Sequence, residues 1–316
     1  MFEPGLLVAL RAEGYTPMAW ARYVRGHLGL ARARVEARPA AVRSVLATGF
    51  TLLALQFAGA AVVTVTLDAV LGRRLFILGA TWLSAHCLWV LAHLGLLTDR
   101  AGRPQLRLGL PNTITLLRSL TVPWMVVSMV DGQLELGLGL YLLGAVADVA
   151  DGALARRRGE VTRLGTALDP LVDVAWNSAA ALGLVLAGAL PYWVLVAIGV
   201  RYGLLLVGSA VIYLVRGRLR IRPTLFGKAS GAAISATFVL AFLNRLLLPD
   251  PVAWRLGGLL NVAIGFLLVA TIIYVVVLGL LNVRTRPHAE VGVGRVVGSV
   301  GAGHIATGAD HEHGAS

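Results

Sequence analysis

Between Ser44 and Leu281 long apolar runs alternate with short polar breaks. Most of the runs reach the roughly 20 residues that a helix needs to cross the hydrocarbon of a bilayer. Lipid offers no hydrogen-bond partner to the backbone, so such runs are expected as helices that satisfy their own N–H and C=O groups. Spans are expected at about 45–67, 75–97, 112–130, 134–154, 166–188, 191–215, 225–247 and 256–281. The composition agrees: 57% of residues are hydrophobic and 14% charged, with a mean hydropathy of +0.78. The fold class expected is an all-α polytopic membrane protein.

The polar breaks divide the chain. Residues 1–43 form a basic leader in which Trp20, Val24 and Leu28 fall at helical spacing among Arg22, Arg25, Arg32 and Arg34, as in a helix lying on a membrane surface. It reads as interfacial rather than as a cleavable signal peptide, because the first apolar run starts only near Ser44. A two-span extension, 44–98, precedes the break "TDRAGRPQLRLGL"; a six-span core, 105–285, follows, and then a Gly/Ala/His-rich tail, 286–316, expected to be disordered. His304, His311 and His313 lie in that tail, and Cys87, the single cysteine, excludes a disulfide framework or a thiolate metal cluster.

Net charge is +12, from 28 Lys and Arg against 16 Asp and Glu. The arginines collect at the ends of apolar runs with no aromatic-rich basic groove, which fits anionic headgroups and excludes nucleic acid as the expected partner. "RRRGEVTR", "RGRLRIRP" and "NVRTRPH" fall on one side of alternating spans, and "DGQLE" and "NRLLLPDPVAWR" on the other. Positive charge favours the cytoplasmic side, so both termini and the segment 148–173 are expected there, in a cell membrane. Arg73 and Arg74 run against this bias.

The segment 148–173 concentrates the chemistry. Asp148 and Asp151 are three apart near the end of one span, and Asp169 and Asp173 four apart near the start of the next. A short turn joins the two spans, which are therefore expected as antiparallel neighbours with four converging carboxylates. Left alone, these would repel one another; divalent cations such as Mg²⁺ or Mn²⁺, two of them a few ångströms apart, would answer the charge and clamp a phosphate. Gly152 and Gly165 leave room for a ligand, Ala155 keeps that face open, and Arg156 offers a fork for phosphate.

Asp148-x2-Asp151-Gly152-x2-Ala155-Arg156-x8-Gly165-x3-Asp169-x3-Asp173 resembles, without gap or substitution, the signature of the CDP-alcohol phosphatidyltransferase family. The resemblance spans roughly residues 105–285. It implies an enzyme of phospholipid synthesis that moves a phosphatidyl group from CDP-diacylglycerol to an alcohol and releases CMP. It also implies that Asp148, Asp151 and Asp169 hold metal, and that Asp173 both helps hold it and acts as general base. Gly152, Ala155, Arg156 and Gly165 would line the nucleotide site. "PNTITLLRSL" is similar to a family segment that turns Asn112, Thr115 and Arg118 toward that site.

Within the family, "ARRRGEVTRLGTALDP" looks most like the phosphatidylglycerolphosphate synthase branch, whose acceptor is glycerol-3-phosphate. Arg118, Arg163, Arg201 and Lys228 would serve a phosphorylated acceptor. Val174 stands where that branch usually has lysine, and Tyr202 where it has an acid, which leaves inositol phosphate and phosphatidylglycerol open as acceptors. An intramembrane prenyltransferase would place its aspartates in two separate motifs, and a transporter would place ionisable groups near the midplane; neither matches a single cluster at one end. A homodimer is the expected assembly. The two-span extension carries no chemistry of its own.

Overall fold

The computed structural model describes residues 4–216 and 225–284, all helix and connecting turns apart from an isolated bridge between Thr98 and Pro104. Ten α-helices follow one another: α1 (Pro4–Ala12), α2 (Pro17–Ala37), α3 (Pro39–Thr66), α4 (Ala69–Ala92), α5 (Leu110–Val130), α6 (Leu134–Arg158), α7 (Arg163–Leu186), α8 (Tyr192–Arg216), α9 (Leu225–Leu247) and α10 (Asp250–Arg284). A single 3₁₀ turn, Leu94–Leu96, follows α4. The histidines of the tail and Arg218, Arg220 and Arg222 lie outside the described residues.

The boundaries have local causes. Pro17 and Pro39 sit in the first turn of α2 and α3, where a missing N–H costs nothing. The Asp68 carboxylate accepts from the Leu71 N–H at 2.7 Å to open α4. Gly159 closes α6 in the left-handed conformation at φ 65°, which strains any residue with a Cβ.

Among the described residues, seven helices are long and apolar enough to cross a membrane: α3, α4, α5, α6, α8, α9 and α10. The eighth expected span is α7. It has the length, 24 residues, but Asp169, Asp173 and Asn177 lower its apolar character. The chain is a multi-pass helical membrane protein. A second expectation needs correction. α6 and α7 are not packed mainly on each other; both lie principally against α5, which is thereby the most enclosed of the spans. Val122, Met125 and Met129 of α5 join one core with α6–α10, while Leu116 and Leu120 join another with α3, α4 and the first half of α7.

The extension is tied to this frame. Gln56, buried in α3, donates to the carbonyl oxygens of Phe76 at 2.9 Å and Leu75 at 3.3 Å in α4. Trp82 Nε1 donates to Ser119 Oγ at 2.9 Å, joining α4 to α5. Arg74 is paired with Asp131 at 2.9 Å, so its charge, out of place by the loop bias, is answered locally. The leader folds as α1 and α2, with α2 covering the stretch expected as helical, and its last residues open α3. α1 docks on the end of α8, where Arg11 donates to the carbonyls of Leu214 at 2.7 Å and Tyr213 at 2.9 Å. These carbonyls belong to the last described turn of α8.

The close approach of α3 and α4 rests on glycines. A Cβ at Gly79 would collide with the Gln56 amide and the Trp124 indole, whereas Gly139 meets nothing within 4 Å. Gly79→Leu should therefore lower Tm by several degrees, about 1–3 kcal/mol for an overpacked contact, and Gly139→Ala should not lower it; thermal unfolding of the purified protein reads both.

Candidate active site

The N-terminal half of α5 supplies the groups that join the aspartates. Thr115 and Arg118, three residues apart, share one face of the helix. The Thr115 hydroxyl lies 2.9 Å from Asp151 Oδ2 on α6 and 3.5 Å from Asp169 Oδ1 on α7. One turn further along, Arg118 Nη1 donates to Asp148 Oδ1 at 2.5 Å and Nη2 to Asp173 Oδ1 at 2.6 Å. Each α5 residue thus bridges one aspartate of α6 and one of α7. All four sequence-predicted carboxylates are brought together, in two rungs, across a helix that lies between their own.

Burial differs along these rungs. Asp151 is buried, and Arg118 is 3% exposed, whereas the side chains of Asp148 and Asp173 are 49% and 48% exposed. Arg118 lies over the Trp176 ring, 5.0 Å from its centroid, and Trp176 stacks on Tyr141 at 4.2 Å. Gly144 makes room for that stack, since a Cβ there would strike the indole nitrogen. Among the described residues no group of three or more His, Cys, Asp or Glu side chains adopts a metal-ligand arrangement. Arg118 and Thr115 already engage the carboxylates.

Beside the lower rung lies an open cleft lined by Asn112, Thr115, Asp151, Gly152, Ala155, Thr162, Gly165 and Asp169 among others. Five of the seven residues expected to face a nucleotide are here. Of the other two, Arg118 is engaged with Asp148 and Asp173, and Arg156 is exposed, its Nη1 3.2 Å from where a Gly152 Cβ would stand. Asn112 Nδ2 donates to the Leu108 carbonyl at 2.5 Å and lies 3.2 Å from Thr162 Oγ1, which in turn accepts from the Gly165 N–H at 3.0 Å. The α7 cap and the start of α5 are thereby locked together. Pro170, inside α7, has no N–H to bond the Thr166 carbonyl one turn back.

The groups expected around an acceptor are more scattered. Arg118 faces the aspartates with both Nη atoms engaged. Arg163 is exposed at the start of α7, its backbone N–H bonded to the Thr98 carbonyl at 3.0 Å. Arg201, on α8, donates to the Tyr202 hydroxyl at 3.2 Å and lies over its ring, 4.9 Å from the centroid. Lys228 stands on α9, and its side chain lies outside the described residues. Thr162 and Trp176 were not singled out as site residues from sequence. Thr162 carried a signal as a capping residue before α7; Trp176 carried none, because its partners are remote.

The structure is thus a helical membrane protein with paired aspartates beside a polar cleft. Residues 108–278, more than half of the chain, match the CDP-alcohol phosphatidyltransferase family, and the chain belongs to that family. It is 29% identical over 185 residues to a probable phosphatidylglycerophosphate synthase of Mycobacterium tuberculosis, covering 57% of this chain and 81% of that one. A putative cardiolipin synthase of the same organism is 26% identical over 189 residues, covering 57% and 90%. The cardiolipin synthase (CMP-forming) of Streptomyces coelicolor is 30% identical over 154 residues, covering 46% and 68%. No solved structure matches. The protein is thus an enzyme, a phosphatidyltransferase of phospholipid biosynthesis acting on a CDP-linked substrate in a lipid environment. Family membership leaves the prenyltransferase and transporter alternatives without support.

The cleft makes one position especially sensitive. A Cβ at Gly165 would stand 2.7 Å from Asn112 Oδ1. Gly165→Val should cut CMP release by about 10²-fold or more, the effect expected when a bound substrate is displaced by an ångström, with Tm shifted by only a few degrees. Retention of full turnover would show that the cleft does not hold the nucleotide.

Proposed function

We propose that the protein transfers the phosphatidyl group of CDP-diacylglycerol to the hydroxyl of glycerol-3-phosphate and releases CMP, with its site open to the cytoplasmic face. The observation that carries this reading is the bridging of four aspartates by Thr115 and Arg118 beside a cleft lined by Asn112, Gly152, Ala155 and Gly165. The relative named phosphatidylglycerophosphate synthase favours glycerol-3-phosphate. Relatives named cardiolipin synthase favour phosphatidylglycerol as the second candidate acceptor, and inositol phosphate is the third. A homodimer with both termini cytoplasmic is part of the same reading.

The residues fit a divalent metal. Arg118 pairs with two of the four carboxylates, Asp148 and Asp173, while Asp151 and Asp169 approach a hydroxyl that has a single proton to give and also lies 3.1 Å from the Pro111 carbonyl. Oxygen ligands alone suit Mg²⁺ or Mn²⁺. Asp148, Asp151, Asp169 and Asp173 would hold the metal, two ions in this reading, and it would neutralise charge on the phosphates as CMP departs.

The chain's own groups account for the rest. Asn112, Thr115, Gly152, Ala155 and Gly165 seat the nucleotide end, and the glycines permit close approach. Asp173 accepts the acceptor hydroxyl's proton on Oδ2, the oxygen that Arg118 leaves open. The acceptor oxygen bonds to the lipid-side phosphorus, and the bond from that phosphorus to the bridging oxygen breaks, leaving its electron pair on CMP. Arg163, Arg201 and Lys228 would draw the phosphate of the acceptor.

Purified protein given radiolabelled CDP-diacylglycerol and Mg²⁺ should release CMP with glycerol-3-phosphate and much less with phosphatidylglycerol or inositol phosphate. Asp173→Asn should reduce the rate about 10²–10⁴-fold, the usual contribution of a general base, and EDTA should stop it. Activity that survives EDTA would remove the metal, and a preference for phosphatidylglycerol would replace the acceptor.

A further inference from the structure

Among the described residues, Arg118 is the one group joined to aspartates of both flanking helices by charge. Its surroundings are those of a fixed device. It is buried, its two Nη atoms diverge to Asp148 and Asp173, and its Nε is buried with no hydrogen-bond partner. Its flat face is held over Trp176, itself pinned on Tyr141 by the space at Gly144. A planar fork can serve two carboxylates on two helices at once; a lysine ammonium has no such span. A free surface arginine would lose entropy on being held this way, but here packing holds it in advance.

We propose that Arg118 is a positioning residue, a built-in counter-cation that holds Asp148 and Asp173 apart from each other until a divalent cation binds, then releases Asp148 and keeps Asp173 oriented. The proposal rests on the metal-dependent reading above. Four carboxylates this close would repel one another in a medium that screens poorly, and one fixed positive charge limits that repulsion in the metal-free protein. The same charge opposes a second cation. Arg118 and the metal therefore compete for Asp148, and the competition sets how tightly metal is held. Asp173 stays on Nη2, so the base points the same way before and after loading. This assigns Arg118 to the aspartates rather than to the acceptor phosphate.

The test measures metal binding apart from turnover. Mn²⁺ affinity of the full-length protein in nanodiscs is measured by calorimetry for the wild type, Arg118→Met and Arg118→Lys, with Tm confirming the fold. Loss of the opposing charge should make Arg118→Met bind Mn²⁺ about tenfold tighter while CMP release falls sharply. Arg118→Lys should return affinity to within about threefold of wild type yet recover turnover only in part, because it lacks the fork. A second measurement needs no Arg118 variant: Mg²⁺ should change the tryptophan emission of the wild type, and Trp176→Phe should abolish the change. Equal or weaker Mn²⁺ binding by a folded Arg118→Met overturns the proposal, as does an emission change that Trp176→Phe leaves intact. If Arg118→Met does not fold, the emission measurement decides alone. Failure of the wild type to bind Mn²⁺ would remove the metal reading itself along with the clamp, whereas normal binding without the tightening removes only the clamp.

Discussion

Charge at the edge of a bilayer is best answered by a partner within a few ångströms, because the medium around it screens less than bulk water. In this protein that requirement falls on α5. It contributes a guanidinium and a hydroxyl on one face, and these hold the four aspartates of α6 and α7. The central place of α5 follows. A helix that must reach two partners at once has to lie between them, and α5 is accordingly shared by both main cores. The short turn at Gly159 and the cap at Thr162 then fix the height at which Asp151 faces Asp169.

Such pairing demands that helices come close, and in lipid no hydrophobic drive presses them together; small residues at the contacts do that work instead. Gly144 admits the Trp176 ring against α6, and Gly137 and Gly183 both border the Met129 side chain of α5. In the extension, Gly72 and Gly79 allow α3 and α4 the same approach. Glycine content in these helices therefore reflects packing around large side chains more than conformational freedom. Gly159 after α6 and Gly109 before α5 are the glycines beside the site that take positive φ, at 65° and 81°.

The sequence made much of this legible. Apolar run length places the spans, and spacings of three and four put Asp148 with Asp151 and Asp169 with Asp173 on common helix faces. What it did not disclose are pairings between distant positions. Arg118 is 30 residues from Asp148 and 55 from Asp173. Its hydrophobic register gave no sign that it would close a rung rather than face an acceptor. A short turn between α6 and α7 pointed to direct neighbours, yet both turned to α5, because the polar groups able to satisfy them stand there. Arg74 looked misplaced only until Asp131, 57 residues away, supplied its partner. Local pattern specifies faces; which faces meet is decided by charge and volume across the whole bundle.

The polar ties are unevenly distributed. At the end that carries the cleft, Arg38 donates to the Leu94 carbonyl at 3.1 Å, the Leu108 N–H to Ser44 Oγ at 3.0 Å, and the Arg163 N–H to the Thr98 carbonyl at 3.0 Å. Arg11 reaches across to the end of α8. These ties draw the leader, the extension and the loop before α5 into one polar collar around the starts of α5 and α7. A site built from side chains of three helices needs those helices held to a fraction of an ångström. Apolar packing in lipid allows helices to slide; directional hydrogen bonds at the membrane surface do not. The collar ties the leader and the extension to the end of the bundle that carries the aspartates, through hydrogen bonds that fix direction as well as distance.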